Sequence, residues 1–346
     1  MNPLAVEIGR LKLKNPVICG SGEHTIEAQG IRLALKAGAS AVVAKSINES
    51  RAAKEQLDQT DYMLFDAQWN PLDWHEKPTP DVSLFCRSGL VQREFEPWLD
   101  ELIELDGEAK ALDAYVIPSL ILADLDACVE QAAAIERKGF RVLEVNIGAP
   151  HAAEAAKGAI VLERQADKVF EIVSRIRKAI QLPLWIKLTG QSEDVVSLAQ
   201  AAQKAGADSV IMMGRFMGFV PDIQTGRPFL GTSAAIGGSW ALPLTARWLV
   251  MTRKVLGPHY PLIATNGART GLDVIRFLMS GAVATEMSSA VWTGGYTVLS
   301  DAIEEVHSFL NEKGVSALDI LGQAADQLQA YQEQPNRADY WKNFVK

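Results

Sequence analysis

The stretch Val142-Leu-Glu-Val-Asn146-Ile-Gly-Ala-Pro-His151 decides the fold. Val and Leu dominate its first half, which suits a strand covered on both faces, and we read Arg141 to Val145 as that strand. The run stops at Asn146 and opens into Gly148-Ala149-Pro150, which cannot continue it. An asparagine at the carboxyl end of such a strand can aim its amide at a ligand. In parallel α/β barrels that rim is where ligands and chemistry sit.

Working outward, the same strand-then-helix unit recurs on both sides. Before it come Val17-Ile18-Cys19 with a helix from Ile26 to Lys36, Ala41 to Ala44 with a helix from Val91 to Leu105, and Tyr115 to Leu120 with a helix from Asp124 to Lys138. The opening strand itself is followed by a helix from Arg164 to Ile180. After it come Leu184 to Lys187 with a helix from Ser192 to Ala205, then Ser209 to Met212, a long Gly-rich loop and a helix from Pro243 to Leu256. Leu262 to Ala264 with Gly271 to Met279, and Ala282 to Thr285 with Thr297 to Asn311, complete eight units. Strand followed by helix, repeated in this way, predicts a parallel sheet, and eight units in 346 residues favour a closed (β/α)8 TIM barrel over an open sheet.

Residues 1–346 read as one domain. Val6 to Val17 reads as a small hairpin about Gly9-Arg10. Residues 49–82 interrupt the rhythm with a polar stretch rich in aromatics (Tyr62, Phe65, Trp69, Trp74), too long for a plain connection. We read it as an insertion, a lid over the carboxyl ends of the strands. Ser316 to Gln329 is expected to be an amphipathic helix on the outside, and 336–346 a tail.

Composition narrows the class. The net charge of −8, with no long basic block, excludes nucleic acid as an expected partner. No apolar run reaches the roughly 18 residues of a membrane span. The start, Met1-Asn-Pro-Leu-Ala-Val-Glu-Ile, lacks a secretory layout, so a cytoplasmic protein is expected. Cys19, Cys86 and Cys128 form no close pair, which argues against a disulfide framework and against a metal or iron–sulfur site in this chain.

The strand ends carry the chemistry. In order they supply Gly20-Ser21-Gly22, Lys45-Ser46, Asn146, Lys187, Asn266-Gly267 and Ser288-Ser289. Amides, hydroxyls, small residues and two lysines suit an anionic, planar cofactor with a phosphate tail. Gly and Ser near helix starts in the last two units can bind phosphate through backbone N–H groups, and Gly237-Gly238 is another place for close backbone approach. Lys187 ends an apolar strand, where a charge costs free energy unless it is paired. A lysine at the pyrimidine edge of a reduced flavin would stabilise its negative charge. The alternative reading has each lysine simply reaching solvent.

These motifs resemble the dihydroorotate dehydrogenase family, and more closely the flavin domain of dihydropyrimidine dehydrogenases. The likeness runs from about Leu11 to Gly322 through Asn15-Pro, Gly20-Ser21-Gly22, Ala44-Lys45-Ser46, Glu144-Val-Asn146 with Pro150-His151, Pro183-Leu-Trp-Ile-Lys187-Leu-Thr, Ala205-Gly-Ala-Asp208, Gly237-Gly238, Ala264-Thr-Asn-Gly267 and Ser288-Ser289. The resemblance implies an FMN barrel. It gives Gly20 and Ser21 to the isoalloxazine, Lys45, Asn146 and Lys187 to its polar edge, and Gly238, Gly267, Ser288 and Ser289 to the phosphate. Ser46, Gly237 and Asn266 complete the expected cofactor set, with Asn266 standing where the family usually has glycine. The resemblance also implies a homodimer.

The departures point to a changed substrate. Where the family carries a Cys or Ser that exchanges a proton with substrate, this chain has Ala149. The asparagines that bracket the pyrimidine ring align near Cys86 and near Gly214-Arg215. The expectation is therefore an FMN-dependent oxidoreductase moving a hydride between flavin N5 and a carbon of a small, cyclic or conjugated, non-orotate substrate. His151 is the first candidate for the missing proton-transfer group, since its ordinary pKa of about 6.5 suits that role. Ordering the loop by hydrogen bonding is the competing role for it. Cys86 is a second candidate, although a lone Cys is commonly a small buried hydrophobe. Arg215 is a candidate carboxylate clamp. His24, Trp69, Trp74 and His75 are further candidates for the cofactor edge and lid, and Met212-Met213 with Phe216 and Phe219 for a pocket wall, or for core filling. Three rivals stand beside this reading: a pyrimidine reductase subunit with an iron–sulfur partner chain, a flavin-binding protein without turnover, and a non-redox isomerase using reduced FMN.

Overall fold

Eight parallel strands close into a barrel, and the closure runs through a strand that a proline interrupts. In the computed structural model, which describes residues 2–74, 81–148 and 164–345, Tyr115–Ile117 pairs with Ala41–Val43 and Ser119–Ile121 pairs with Leu143–Asn146. Pro118 lies between the two halves and has no N–H to give the ladder, yet its carbonyl still accepts from Glu144 N at 3.1 Å. The ring continues through Leu184–Lys187, Ser209–Met212, Leu262–Thr265 and Ala282–Met287, which returns to Val17–Cys19. All eight expected strands are present.

The strands are buried end to end, as in Val17–Cys19, Ala41–Val43 and Ser209–Met212. Helices cover both their outer sides and one another. Their starts are set by short polar side chains: Asp124 accepts from Ala127 N, Asp194 from Ser197 N, and Thr270 with Asp273 forms a reciprocal box. A buried acid ties the outer layer to the sheet. Asp106, on helix Phe95–Lys110, takes the Arg141 guanidinium and the backbone N–H of Val116. The expected hairpin forms from Val6–Ile8 and Leu11–Leu13, with Gly9 at φ 58° in the turn, where a left-handed residue is needed.

Two expectations are corrected. The Gly-rich stretch after Met212 is not a plain loop. Phe216–Gly218 and Ala234–Gly238 join Ser83–Arg87, Asp61–Phe65 and Pro71–Leu72 in a five-stranded antiparallel sheet. Ala-Ala-Ile-Gly-Gly carries little strand propensity of its own, and the ladder to Ser83–Arg87 supplies what the side chains do not. The insertion at 49–82 and the segment after Met212 thus make one structure. One face of it packs Phe65, Phe85 and Ile236 together; the other turns Leu84 toward the strand ends of the barrel.

Ser316 to Gln329 is not an α-helix either. It is a chain of turns closed by the short 3-10 segment Ala325–Gln327. Gly322, at φ 75°, lies against the Arg253 guanidinium, and Arg253 donates through Nε and Nη2 to the two oxygens of Asp326, both at 2.8 Å. A tertiary clamp onto a buried arginine overrides a helical pattern. Replacing Asp326 with Asn is expected to cost about 1 kcal/mol, measured by urea unfolding, because Asp326 itself is largely exposed. The end of the chain, from Tyr340 to Phe344, forms a further exposed 3-10 turn.

Candidate active site

The carboxyl rim of the barrel gathers most of the expected residues around one cavity. Ser21, Lys45, Ser46, Asn146 and Lys187 line one part of it; Asn266, Gly267, Ser288 and Ser289 line another. Register explains the first group. Asn146 and Lys187 are direct partners in adjacent strands, so the amide and the ammonium leave the sheet side by side. The Asn146 side-chain oxygen accepts from Gly148 N at 3.0 Å, which holds its carboxamide at the rim.

The second group is held by turns. Asn266 adopts φ 66° and Gly267 φ 122°. Asparagine is among the few side-chain-bearing residues that tolerate the left-handed region, so the turn survives where the resemblance expects glycine. A Cβ on Gly267 would come within 2.6 Å of Leu242 backbone atoms. Ser288 Oγ donates to the Ser21 carbonyl at 3.0 Å, joining the last strand end to the first.

Three expected cofactor residues sit behind the wall rather than on it. Gly20 donates its N–H to Met287 O and abuts Glu286 and Ser288. Gly237 and Gly238 belong to the second sheet, pairing with Leu84 and Ser83, and press against Asn266 and Trp240.

Charge at the rim is more balanced than the two lysines suggested. Lys45 Nζ lies 3.1 Å from Glu23 Oε1, which also accepts from Gly89 N at 3.1 Å. Lys187 is bracketed by Glu144 and Glu286. Burial disfavours the Lys187 ammonium, but the two acids outweigh it and hold its pKa above the usual lysine range. Neither lysine reaches out to solvent. Glu23, Glu144 and Glu286 were missed, although the signal was there. Each acid of Leu-Glu-Val-Asn and Ala-Thr-Glu-Met interrupts an apolar strand in the way that drew attention to Lys187.

Of the three catalytic candidates, one lines the cavity. Arg215 is at the wall; its Nη1 contacts Cys86 Sγ and its Nη2 donates to Ser88 Oγ at 3.4 Å. Among the described residues it has no salt bridge. Cys86 is fully buried behind it, and burial outweighs Arg215 to push the thiol pKa up, so this side chain is a neutral thiol near neutrality. His151 and Ala149 lie outside the described residues, as does His75.

The remaining candidates pack rather than face the cavity. Trp74 and Tyr62 meet Trp292, with Tyr62 and Trp292 rings 4.7 Å apart, while Trp69 is half exposed beside Phe65. Met212 and Met213 are buried core, Phe216 stacks near Trp240, and Phe219 is exposed. His24 reaches back to Cys19, with Nε2 3.6 Å from Sγ. Burial depresses its pKa from 6.5 to about 4. The folded protein therefore binds this proton less readily than the unfolded chain. Stability from this site is complete above about pH 6.5 and is lost as pH falls toward about 4. His24→Gln is expected to flatten that part of a stability–pH curve by on the order of 2 kcal/mol, read by denaturant unfolding at each pH.

Fold and rim together define a class: a parallel (β/α)8 barrel with a polar cavity across its strand ends. The family model for dihydroorotate dehydrogenase matches residues 81–310, and the chain belongs to this family of flavoprotein oxidoreductases. Its relatives include the catalytic subunit of dihydroorotate dehydrogenase B (NAD(+)) from Methanocaldococcus jannaschii, 27% identical over 93% of this chain and 98% of that protein. The corresponding subunit from Pyrococcus abyssi is 28% identical over 93% and 99%. Dihydroorotate dehydrogenase A (fumarate) from Lactobacillus helveticus is 31% identical over 57% of this chain and 64% of its own length. No helix among the described residues is long and apolar enough to cross a membrane.

Proposed function

We propose that the protein is an FMN-dependent oxidoreductase acting on a carbon–carbon bond of a small unsaturated substrate other than orotate. One observation carries the cofactor. A single cavity has cations and an amide at one part (Lys45, Lys187, Asn146) and hydroxyls with a left-handed turn at another (Asn266, Gly267, Ser288, Ser289). The first set fits the polar edge of a flavin ring and the second a phosphate. Buried oxygens of Asn266 and Glu286 without hydrogen-bond partners among the described residues fit a site completed by a ligand. Bound FMN would supply the hydride chemistry at N5. The chain's part is to hold it: Lys45 and Lys187 by charge, Asn146 by its fixed amide, Ser288 and Ser289 by hydroxyl and backbone N–H.

The changed substrate rests on Arg215 and Cys86. A guanidinium at the wall that makes no salt bridge among the described residues, though the Glu23 carboxylate lines the same cavity, favours an anionic group on the substrate, and a thiol stands where the resemblance expects a ring-binding asparagine. Arg215 would orient that group, and closure of the second sheet, acting as the lid, would keep water away. His151 is proposed as the proton-transfer group. The test is an absorption spectrum of the purified protein, then a screen of unsaturated rings, with and without a carboxylate, for reoxidation of reduced flavin. A colourless protein that takes up no FMN defeats the cofactor assignment. Rapid flavin reduction by dihydroorotate defeats the substrate assignment.

An electron-transfer partner is a second part of the reading. Relatives of nearly full-length coverage are named as catalytic subunits. A partner chain that co-purifies and reoxidises the flavin would support it, including the version in which that partner carries iron–sulfur clusters and the substrate is a pyrimidine.

A further inference from the structure

Lys187 is held between two acids, and one ammonium cannot neutralise both. Its Nζ lies 2.7 Å from Glu286 Oε2, 3.0 Å from Glu144 Oε2 and 3.1 Å from Glu144 Oε1. Glu144 is 0% exposed and Glu286 2%. An isolated carboxylate at such depth is costly, so the second acid is better accommodated with a proton. The two carboxyls flank the same ammonium, so they titrate as one cluster that holds a single proton between them. Their surroundings are unequal. Glu144 Oε1 accepts from Ser119 Oγ at 2.9 Å, and Ser119 Oγ lies 2.8 Å from Ser46 Oγ. Each acid has one oxygen without a hydrogen-bond partner among the described residues, Glu144 Oε2 and Glu286 Oε1, but no hydroxyl among those residues donates to the Glu286 carboxyl. The proton belongs with Glu286.

Resting on the FMN reading, we infer that Glu286, sharing a proton with Glu144 across Lys187, is the group that couples proton uptake to reduction at the polar edge of the cofactor. Bound FMN, reduced by hydride, would carry one negative charge at its pyrimidine edge, beside Lys187 and the acid pair. With the acid pair protonated, Lys187 and one carboxylate cancel, and the edge faces a neutral cluster. With both acids ionised, the cluster is negative and opposes that charge. In alkaline solution, reduction therefore draws one additional proton from solvent. The bond formed is the O–H of Glu286, and reoxidation breaks it.

Geometry and titration agree. Burial pushes Glu286 up to about 8, with Lys187 opposing and Glu144 reinforcing the rise. Among the described residues, Cys19 on the neighbouring first strand also faces it; burial drives this thiol far above its ordinary range, so it stays neutral. The seventh strand brings Thr265, which does not titrate here.

The test compares the FMN-loaded protein with Glu286→Gln, measuring the two-electron reduction potential from about pH 6 to about pH 10. The expected result is a slope in the wild type that doubles above its titration, from one proton per two electrons to two. The variant keeps the lower slope throughout. Equal slopes in the two proteins overturn the inference. An FMN-free arm reads the proton directly. Infrared difference spectra between about pH 6 and about pH 9.5 should show loss of a protonated-carboxyl band in the wild type and no such band in Glu286→Gln. A band that persists in the variant overturns the assignment to Glu286. If Glu286→Gln does not fold, Glu144→Gln replaces it: Glu286, then singly paired with Lys187, should ionise and the extra proton should vanish from the slope. A protein that binds no FMN defeats the cofactor reading, and the infrared arm still decides where the proton sits.

Discussion

Replacing Lys187 with alanine is expected to cost about 3–5 kcal/mol of stability and to abolish retention of FMN. The two losses have different causes. Stability falls because Glu144 and Glu286 are left buried with no cation, and an unpaired buried charge costs far more than the intact pair contributes. On the proposed reading, FMN is lost because Lys187 no longer offsets the two acids beside its polar edge. The double variant Lys187→Ala/Glu286→Gln separates them. Removing one acid should restore part of the stability in urea unfolding, while bound flavin, measured by absorbance after gel filtration, stays absent. The penalty should also depend on pH. Glu286, raised above its ordinary value, holds its proton in the folded state and releases it on unfolding. Stability therefore declines as pH rises from about 4.5 to about 8, more steeply without the lysine. A Lys187→Ala protein with wild-type stability and full flavin content would sink both assignments.

Arg215→Met is expected to leave FMN bound and to lower kcat/KM on a carboxylate-bearing substrate on the order of a hundredfold or more. The side chain is at the cavity wall, fixed by Cys86 and Ser88, and its charge meets no salt bridge among the described residues. A guanidinium in that position has its strongest interaction still to make. The same variant should discriminate by substrate: rings without an anionic group should lose little. Lys in place of Arg should restore only part of the rate, since a point charge cannot reproduce a planar fork. An equal loss on charged and uncharged rings would assign Arg215 to packing.

Both predictions concern residues that the sequence singled out, but the acids around them entered only with the structure. A lysine at the end of Leu-Trp-Ile-Lys is visible as an anomaly, since apolar neighbours in a strand announce burial. Its partners are 43 residues away on one strand, Glu144, and far along the chain on another, Glu286. Linear proximity gives no hint of either pairing. Arg215 was legible as a cation in a Gly-rich stretch; that this stretch is a strand of a second sheet was not. Gly237 and Gly238 read as a cofactor cradle; that they also pair with Leu84 and Ser83 was not legible, because backbone hydrogen bonds ask nothing of a side chain and leave no pattern to read. Cys86, read beside the substrate, is buried behind Arg215 and held neutral by that burial.

What the amino-acid order determined by itself is the barrel. Eight apolar runs, each followed by an amphipathic helix, admit few other arrangements, because every strand must be covered on both faces and each crossover returns in the same direction. It also determined which rim positions carry polar groups, since most breaks in the apolar runs fall at strand ends, Glu144 and Glu286 being exceptions. Tertiary structure alone decided how those groups combine: Lys187 between two acids, Lys45 against Glu23, Arg215 at the cavity wall with no salt bridge among the described residues, and Ser316 to Gln329 bent into turns around Arg253. The reason is electrostatic. The state of a buried charge depends on what lies within a few ångströms of it in space, and strand register, not sequence distance, sets those neighbours.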